Sequence, residues 1–251
     1  MRALQDARTL AVIPARFGSH RFPGKPLAEL GGKPVIQHVY ERTCRARGLD
    51  AAVVATDDGR IFDAVRAFGG EVMMTASGHR TGTERVAEVA RACPRAQLIL
   101  NIQGDEPFVA PESVEALLES LSRPGGPRFA TLREPLGDGD LARPHVVKVV
   151  TTLAGEALYF SRSPIPWPQG PKPSRSVYRH VGLYGFTRDA LLWYAGLEPT
   201  PLEGSEGLEQ LRILEHGERI TVASSSGHTI AIDTPEDLER ARRHLAALEP
   251  R

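Results

Sequence analysis

Short apolar runs alternate with amphipathic helical segments over the first hundred residues, and this alternation limits the fold more than any other feature. Leu10-Ala11-Val12-Ile13 is an apolar run closed by Pro14, which suits a buried parallel strand. Pro34 suits the first position of a helix running to about Arg47, with Val35, Ile36, Val39 and Tyr40 on one face. Ala51 to Ala55 predicts a second strand, and Asp58 can cap a helix that ends near Gly69-Gly70. Val72 to Met74 predicts a third strand, Thr83 to Cys93 a helix, and Leu98 to Ile102 a fourth strand. Parallel strands need crossovers, so this order predicts an α/β fold: a Rossmann-like, doubly wound, mostly parallel sheet.

The middle of the chain changes character. Phe129 to Leu132, Val146 to Val150, Ala157 to Phe160 and Val181 to Phe186 read as strands with few helices between them. Pro and Gly crowd Ser163 to Pro173, which reads as a mobile loop. Residues 129–207 are therefore expected to form a smaller mixed-sheet insertion, a lid or dimerisation region, within one domain spanning 1–251. Helical periodicity returns at Leu208 to His216, and Ile220 to Ala223 and Ile230 to Ile232 read as strands. Thr234-Pro235-Glu236-Asp237 has the form of a helix start: cap, proline, then an acid three residues after the cap. Residues before Thr9 read as a short, frayed polar extension.

Bulk properties exclude several classes. Lys plus Arg equals Asp plus Glu, at 31 each, so no global basic field points to nucleic acid or an anionic membrane. An anionic substrate must be held by local cations. Cys44 and Cys93 are far apart and form no CxxC, which favours buried free thiols over a disulfide or zinc site. The run at Leu10 is too short for a signal peptide or a membrane span, so the cytoplasm is the expected compartment.

Arg16, Arg21 and Lys25 share one loop with Gly18 and Gly24, directly after the first strand. In an α/β sheet that loop opens on the ligand crevice. Glycines let backbone approach a phosphate, and Arg and Lys neutralise it. The spacing matches neither a Walker A loop nor a dinucleotide fingerprint, and Pro26 stands where a Walker loop needs Ser or Thr. Asp105 follows the fourth strand in Asn101-Ile102-Gln103-Gly104-Asp105-Glu106-Pro107, and Asp233 follows Ile230 to Ile232. Magnesium takes one or two carboxylates with phosphate oxygens and water, which two strand-end aspartates beside a phosphate loop would satisfy. Taken alone, Asp105 reads equally as a turn residue and Asp233 as a residue preceding a helix cap. The cationic loop tips both towards Mg2+.

Pro14 to Pro26 resembles the signature loop of the cytidylyltransferases that activate acidic sugars. Thr81-Gly82-Thr83-Glu84-Arg85, Tyr159-Phe160-Ser161-Arg162, Ile165-Pro166-Trp167, Arg179 to Gly185, Leu208 to Arg212 and Asp233 to Leu238 narrow the resemblance to members that act on 3-deoxy-manno-octulosonate (Kdo). It runs in order from about Leu10 to Arg243. The resemblance implies a nucleotide-diphospho-sugar transferase type of fold, a homodimer, and the reaction of CTP with Kdo to give CMP-Kdo and pyrophosphate for lipopolysaccharide synthesis. It assigns Ala15, Arg16, Ser19, Arg21, Lys25, Thr81, Gly82, Arg85 and Gln103 to the nucleotide. It assigns Gln103, Arg162, His180, Tyr184, Glu209 and Gln210 to the sugar, and Asp105 and Asp233 to Mg2+. Arg16, Lys25, Asp105 and Asp233 would form the catalytic set. Arg179, beside His180, also suits anion binding. Members of the family often carry an arginine soon after Ile-Pro-Trp, whereas Pro168 and Gln169 follow Trp167 here, with Lys172 and Arg175 the next cations.

Two other readings compete. One is a nucleotidyltransferase for a different acidic or amino sugar, or for a sugar 1-phosphate. A glycosyltransferase is disfavoured, because the nearest DxD, Asp138-Gly139-Asp140, lies far from the fourth strand. The other is a non-catalytic nucleotide-sensing subunit, against which Lys25, Asp105 and Asp233 all stand.

Overall fold

The computed structural model describes residues 2–18, 21–123, 125–137, 139–167, 177–227 and 230–248. In chain order the elements are α1 (Arg2–Asp6), β1 (Thr9–Ala15), β2 (Glu29–Leu30), β3 (Lys33–Pro34), α2 (Val35–Thr43), β4 (Ala51–Thr56), α3 (Gly59–Ala67), β5 (Val72–Met74), α4 (Gly82–Ala92), β6 (Leu98–Asn101) and α5 (Pro111–Ser122). They continue as β7 (Phe129–Pro135), β8 (Lys148–Thr151), β9 (Ala157–Ser161), β10 (Tyr178–Thr187), α6 (Arg188–Tyr194), α7 (Pro201–Glu206), α8 (Leu211–Glu215), β11 (Ile220–Ser224) and α9 (Pro235–Leu248).

Among the described residues nine strands form one sheet, ordered β11-β7-β10-β6-β1-β4-β5, with β8 pairing β10 and β9 pairing β8. β1 runs parallel to both β4 and β6, while β10 is antiparallel to β6 and β7. The strands of the first half are apolar on both faces because both are covered. Leu10 and Val12 pack with Val86, Val89 and Leu191 of α4 and α6. Ala11 and Ile13 pack on the other side with Ile36, Ile61 and Leu117 of α2, α3 and α5. Side chains alternate faces along a strand, so one four-residue run supplies both cores.

Two expectations change. The described residues before Thr9 are not frayed: α1 buries Leu4, and Ala7 follows it into the interior, each 2% exposed. The mixed sheet expected within 129–207 is present and continuous with the parallel strands. β7 and β10 complete the central sheet, α6 and α7 lie between its strands, and only the β8–β9 hairpin departs from the main strand order. The reason is burial: Phe129 and Phe186 belong to the same core as Leu10. Ile230 to Ile232 is not a strand; its two isoleucines enter a third core with Leu30, Phe108 and Leu238. The expected loop from Ser163 falls outside the described residues from Pro168 to Ser176.

The turn after β6 presses on the end of β1. A Cβ built on Gly104 would stand 2.9 Å from the Pro14 carbonyl oxygen, a backbone atom that cannot swing away. Gly104→Ala should therefore cost about 1–3 kcal/mol in chemical denaturation through overpacking. Gly59→Ala meets open space at a helix start and should leave the midpoint nearly unchanged. Equal midpoints for the two variants would remove the close approach assigned to Gly104.

Candidate active site

The loop after β1 owes its shape to two features. Gly24 has φ +74°, a conformation that favours glycine, and its N–H donates to the Phe17 carbonyl at 2.9 Å. The Phe17 ring is in turn covered by the Arg60 guanidinium, 3.3 Å from the ring centroid. Lys25 then enters a 3₁₀ turn, Lys25–Leu27, and aims inward.

Its ammonium meets two carboxylates from remote parts of the chain. Lys25 Nζ lies 2.5 Å from Asp105 Oδ2 and 3.1 Å from Asp233 Oδ1. Arg21 Nη2 reaches the other oxygen of Asp233 at 3.0 Å. Asp105 and Asp233 are also joined through the main chain, because the Ile232 N–H donates to the Asp105 carbonyl at 2.9 Å. Asp233 is steadied from behind: Asp237 Oδ2 accepts from the N–H groups of Asp233 and Thr234, and Thr234 Oγ1 accepts from the Asp237 N–H, the cap expected for α9. Burial alone would lower the pKa of Lys25, but Asp105 and then Asp233 outweigh it and hold it above its ordinary value. It is a firm cation at neutral pH.

These groups form one edge of a cleft of about 440 Å³ at the carboxyl ends of β1 and β6. Ala15, Arg16, Arg21, Lys25, Thr81, Gly82, Arg85, Gln103, Asp105 and Asp233 all line it. Ser19 lies outside the described residues. Thr81 caps α4 by accepting from the Glu84 N–H at 3.2 Å, so the amino end of that helix opens on the cleft. Arg85 is 4% exposed and anchored by Asp57 at 3.1 Å and Thr75 Oγ1 at 2.5 Å.

A second cleft, of about 320 Å³, adjoins the first and shares Gly82, Gln103 and Glu209 with it. His180, Tyr184 and Gln210 line it as well. His180 and Tyr184 flank a register shift of β10 against β7, between Val181 and Tyr184. Thr131 Oγ1 donates to the Leu183 carbonyl at 2.8 Å and so accepts from His180 Nε2 at 2.9 Å. That tautomer leaves His180 Nδ1 as an acceptor. Burial, and then Arg179, push the His180 pKa down to about 3. Burial and Glu209 hold the Tyr184 phenol well above its ordinary value. Glu209 itself is raised by burial, against hydrogen bonds from Thr83 and Thr81. His180 and Tyr184 therefore present an uncharged acceptor and an uncharged hydroxyl to the second cleft.

Arg162 is not brought to either cleft. Its guanidinium donates to the carbonyls of Glu206 at 2.7 Å, Pro144 at 3.1 Å and Gly207 at 3.4 Å, tying β9 to α7. Arg179 lines the second cleft instead, ion-paired to Glu134 at 2.9 Å. Gln169, Lys172 and Arg175 lie outside the described residues. Glu106, Asn101 and His145 line the second cleft without having been singled out in the sequence. Glu106 stands next to Asp105, but a side chain's burial is set by tertiary packing that no motif spells out. Burial and the Asp105 charge push its pKa up to about 8, against Arg179.

The donor chemistry at Lys25 fits magnesium. Two hard carboxylates converge on one point at the edge of a cation-lined cleft, and a hard divalent ion needs few more protein ligands when phosphates supply the rest. Among the described residues no group of three or more His, Cys, Asp and Glu forms a metal cluster.

Glu106 yields a pH test. Its pKa of about 8 in the folded chain lies above its ordinary value of 4.5, so the folded state binds the extra proton between those values. That stabilisation is complete below the lower value and is lost as pH rises through the upper one. Glu106→Gln removes the titration, so its thermal midpoint should gain on the wild type as pH rises from about 5 to about 9. A constant difference across the range would contradict a buried, protonated Glu106.

The cytidylyltransferase family model matches residues 10–220. The chain is 54% identical over 237 residues to the 3-deoxy-manno-octulosonate cytidylyltransferase of Anaeromyxobacter dehalogenans strain 2CP-C, covering 94% of this chain and 97% of that protein. It is 49% identical over 246 residues to the protein of the same name from Geobacter sulfurreducens, covering 94% and 98%. A solved structure of CMP:2-keto-3-deoxy-manno-octonic acid synthetase complexed with CTP superposes with a TM-score of 0.91 at 42% identity, covering 96% of this chain and 99% of that one. Sequence and fold agree, and the chain belongs to the cytidylyltransferase family, in its 3-deoxy-manno-octulosonate branch.

Proposed function

We propose that this chain transfers CMP from CTP to the anomeric hydroxyl of Kdo, giving CMP-Kdo and pyrophosphate. The observation that carries the reading is the pair of adjoining clefts, one edged by Lys25, Asp105 and Asp233, the other lined by His180, Tyr184, Gln210 and Arg179, meeting at Gln103 and Glu209. A nucleoside triphosphate suits the first and a polyhydroxylated acid the second. The reacting atoms would meet at the shared wall, beside Gln103.

Catalysis is then mainly positioning and charge neutralisation. Arg16, Arg21 and Lys25 neutralise the triphosphate, and Lys25 stands nearest the aspartates where charge builds on the leaving pyrophosphate. Thr81, Gly82 and Arg85 border the nucleoside. Tyr184 and His180 keep their neutral forms and orient hydroxyls. A histidine with pKa near 3 is a poor general base at neutral pH, which leaves His180 a binding role. Asp105 and Asp233 would hold Mg2+, which supplies charge at the phosphate and lowers the pKa of the attacking hydroxyl. Arg179 is the cation in the described part of the second cleft, which makes it a candidate for the sugar carboxylate in place of Arg162.

A homodimer is also proposed. Leu158, 60% exposed, and the fully exposed Leu153 stand on the β8–β9 hairpin, an apolar surface suited to a second copy. No helix among the described residues is long and apolar enough to cross a membrane.

Pyrophosphate release should require CTP, Kdo and Mg2+ together. Lys25→Ala should lower kcat by about 10²–10³-fold while leaving the fold intact. Asp105→Asn should abolish the metal-dependent rate. Release with another acidic sugar but not Kdo would move the substrate. CTP binding with no release for any sugar would sink the enzyme reading.

A further inference from the structure

Two buried amides in the second cleft have incomplete hydrogen bonding. Asn101 ends β6 and is 1% exposed; Gln210 precedes α8 and is 3% exposed. Asn101 Nδ2 donates to Thr83 Oγ1 at 3.3 Å. Thr83 Oγ1 donates its single proton to Glu209 Oε2 at 2.9 Å, so towards Asn101 it can only accept. This relay fixes the amide: Nδ2 faces Thr83 and Oδ1 faces away. Asn101 Oδ1 has no hydrogen-bond partner among the described residues.

Gln210 has one further contact of this kind. The Tyr184 hydroxyl donates to Gln210 Oε1 at 3.0 Å, which leaves Nε2 as the free end. Gln210 Nε2 also has no partner among the described residues. Buried polar atoms left unpaired cost folding free energy, and natural proteins keep few of them without a reason. Here an orphaned acceptor and an orphaned donor line one cleft, and the acceptor, Asn101 Oδ1, is held in orientation by a threonine whose one proton is already committed. Hydroxyl groups both donate and accept, so a polyhydroxylated ligand is the chemical complement.

We propose that Asn101 is a specificity-determining residue of the sugar subsite. Its Oδ1 accepts a hydrogen bond from one hydroxyl of the acid sugar. Thr83 is a positioning residue that denies the amide its flipped orientation. The inference rests on reading the second cleft as the sugar site.

The test measures pyrophosphate release by wild type, Asn101→Ala, Thr83→Val and Thr83→Ser, with CTP and Kdo varied in turn. Asn101→Ala should raise KM for Kdo about tenfold, the worth of one hydrogen bond, and leave KM for CTP within about twofold. Among monodeoxy Kdo analogues, one should serve the variant as well as it serves the wild type, because the hydroxyl it lacks is the one Asn101 reads. Thr83→Val should raise KM for Kdo by a smaller factor, and Thr83→Ser should restore it. The threonine pair keeps the test decisive even where Asn101→Ala does not fold. A KM for Kdo that is unchanged in Asn101→Ala, or equal in Thr83→Val and Thr83→Ser, overturns the inference alone. A wild type inactive with CTP and Kdo overturns the functional reading beneath it.

Discussion

One ammonium group holds the site together. Lys25 joins Asp105, 80 residues away, to Asp233, 208 residues away. Two carboxylates this close repel each other, and a partly buried cation between them reverses the sign of the interaction. Three segments with no sequence proximity are thereby pinned to one point: the loop after β1, the turn after β6 and the start of α9. The main-chain bond from Ile232 to Asp105 and the close passage of Gly104 over Pro14 lie at the same convergence. Lys25 is 17% exposed at its side chain, so the pairing is screened less than a surface ion pair.

The two clefts divide their recognition by charge. The first carries Arg16, Arg21 and Lys25 and suits a polyanion. The second holds titratable groups driven to their neutral forms by burial: His180 deprotonated, Tyr184 and Glu106 protonated at neutral pH. Neutral groups locked by neighbours read hydroxyl geometry without attracting stray ions. Arg179 supplies positive charge there, and Glu134 beside it moderates that charge. The shared wall at Gln103 and Glu209 is where a phosphate bound on one side would face a hydroxyl bound on the other.

Much of this was legible in the sequence because it is local. The first four strands, the cap residues Asp58 and Thr234, and the strand-end positions of the cationic loop and Asp105 all follow from short-range pattern. What was not legible depends on remote partners. Nothing local in β10 shows that it pairs antiparallel with β6 and so joins the mixed region to the parallel strands. The helix α1 has only five residues, below the length at which propensity alone sustains a helix, and it persists because Leu4 is buried. Arg162 sits within a telling motif, but three backbone carbonyls claim its guanidinium. The raised pKa of Glu106 comes first from burial, which tertiary packing sets, and only then from the charge of its neighbour Asp105.

Lys25 pairs with both strand-end aspartates, and binding of Mn2+ to nucleotide-free protein probes that pairing. At the proposed magnesium site the ammonium and a divalent ion would compete for the same carboxylates, so Lys25→Met should bind Mn2+ more tightly than the wild type, and Asp105→Asn more weakly than either. Affinity in Lys25→Met equal to or below that of the wild type would contradict the shared site.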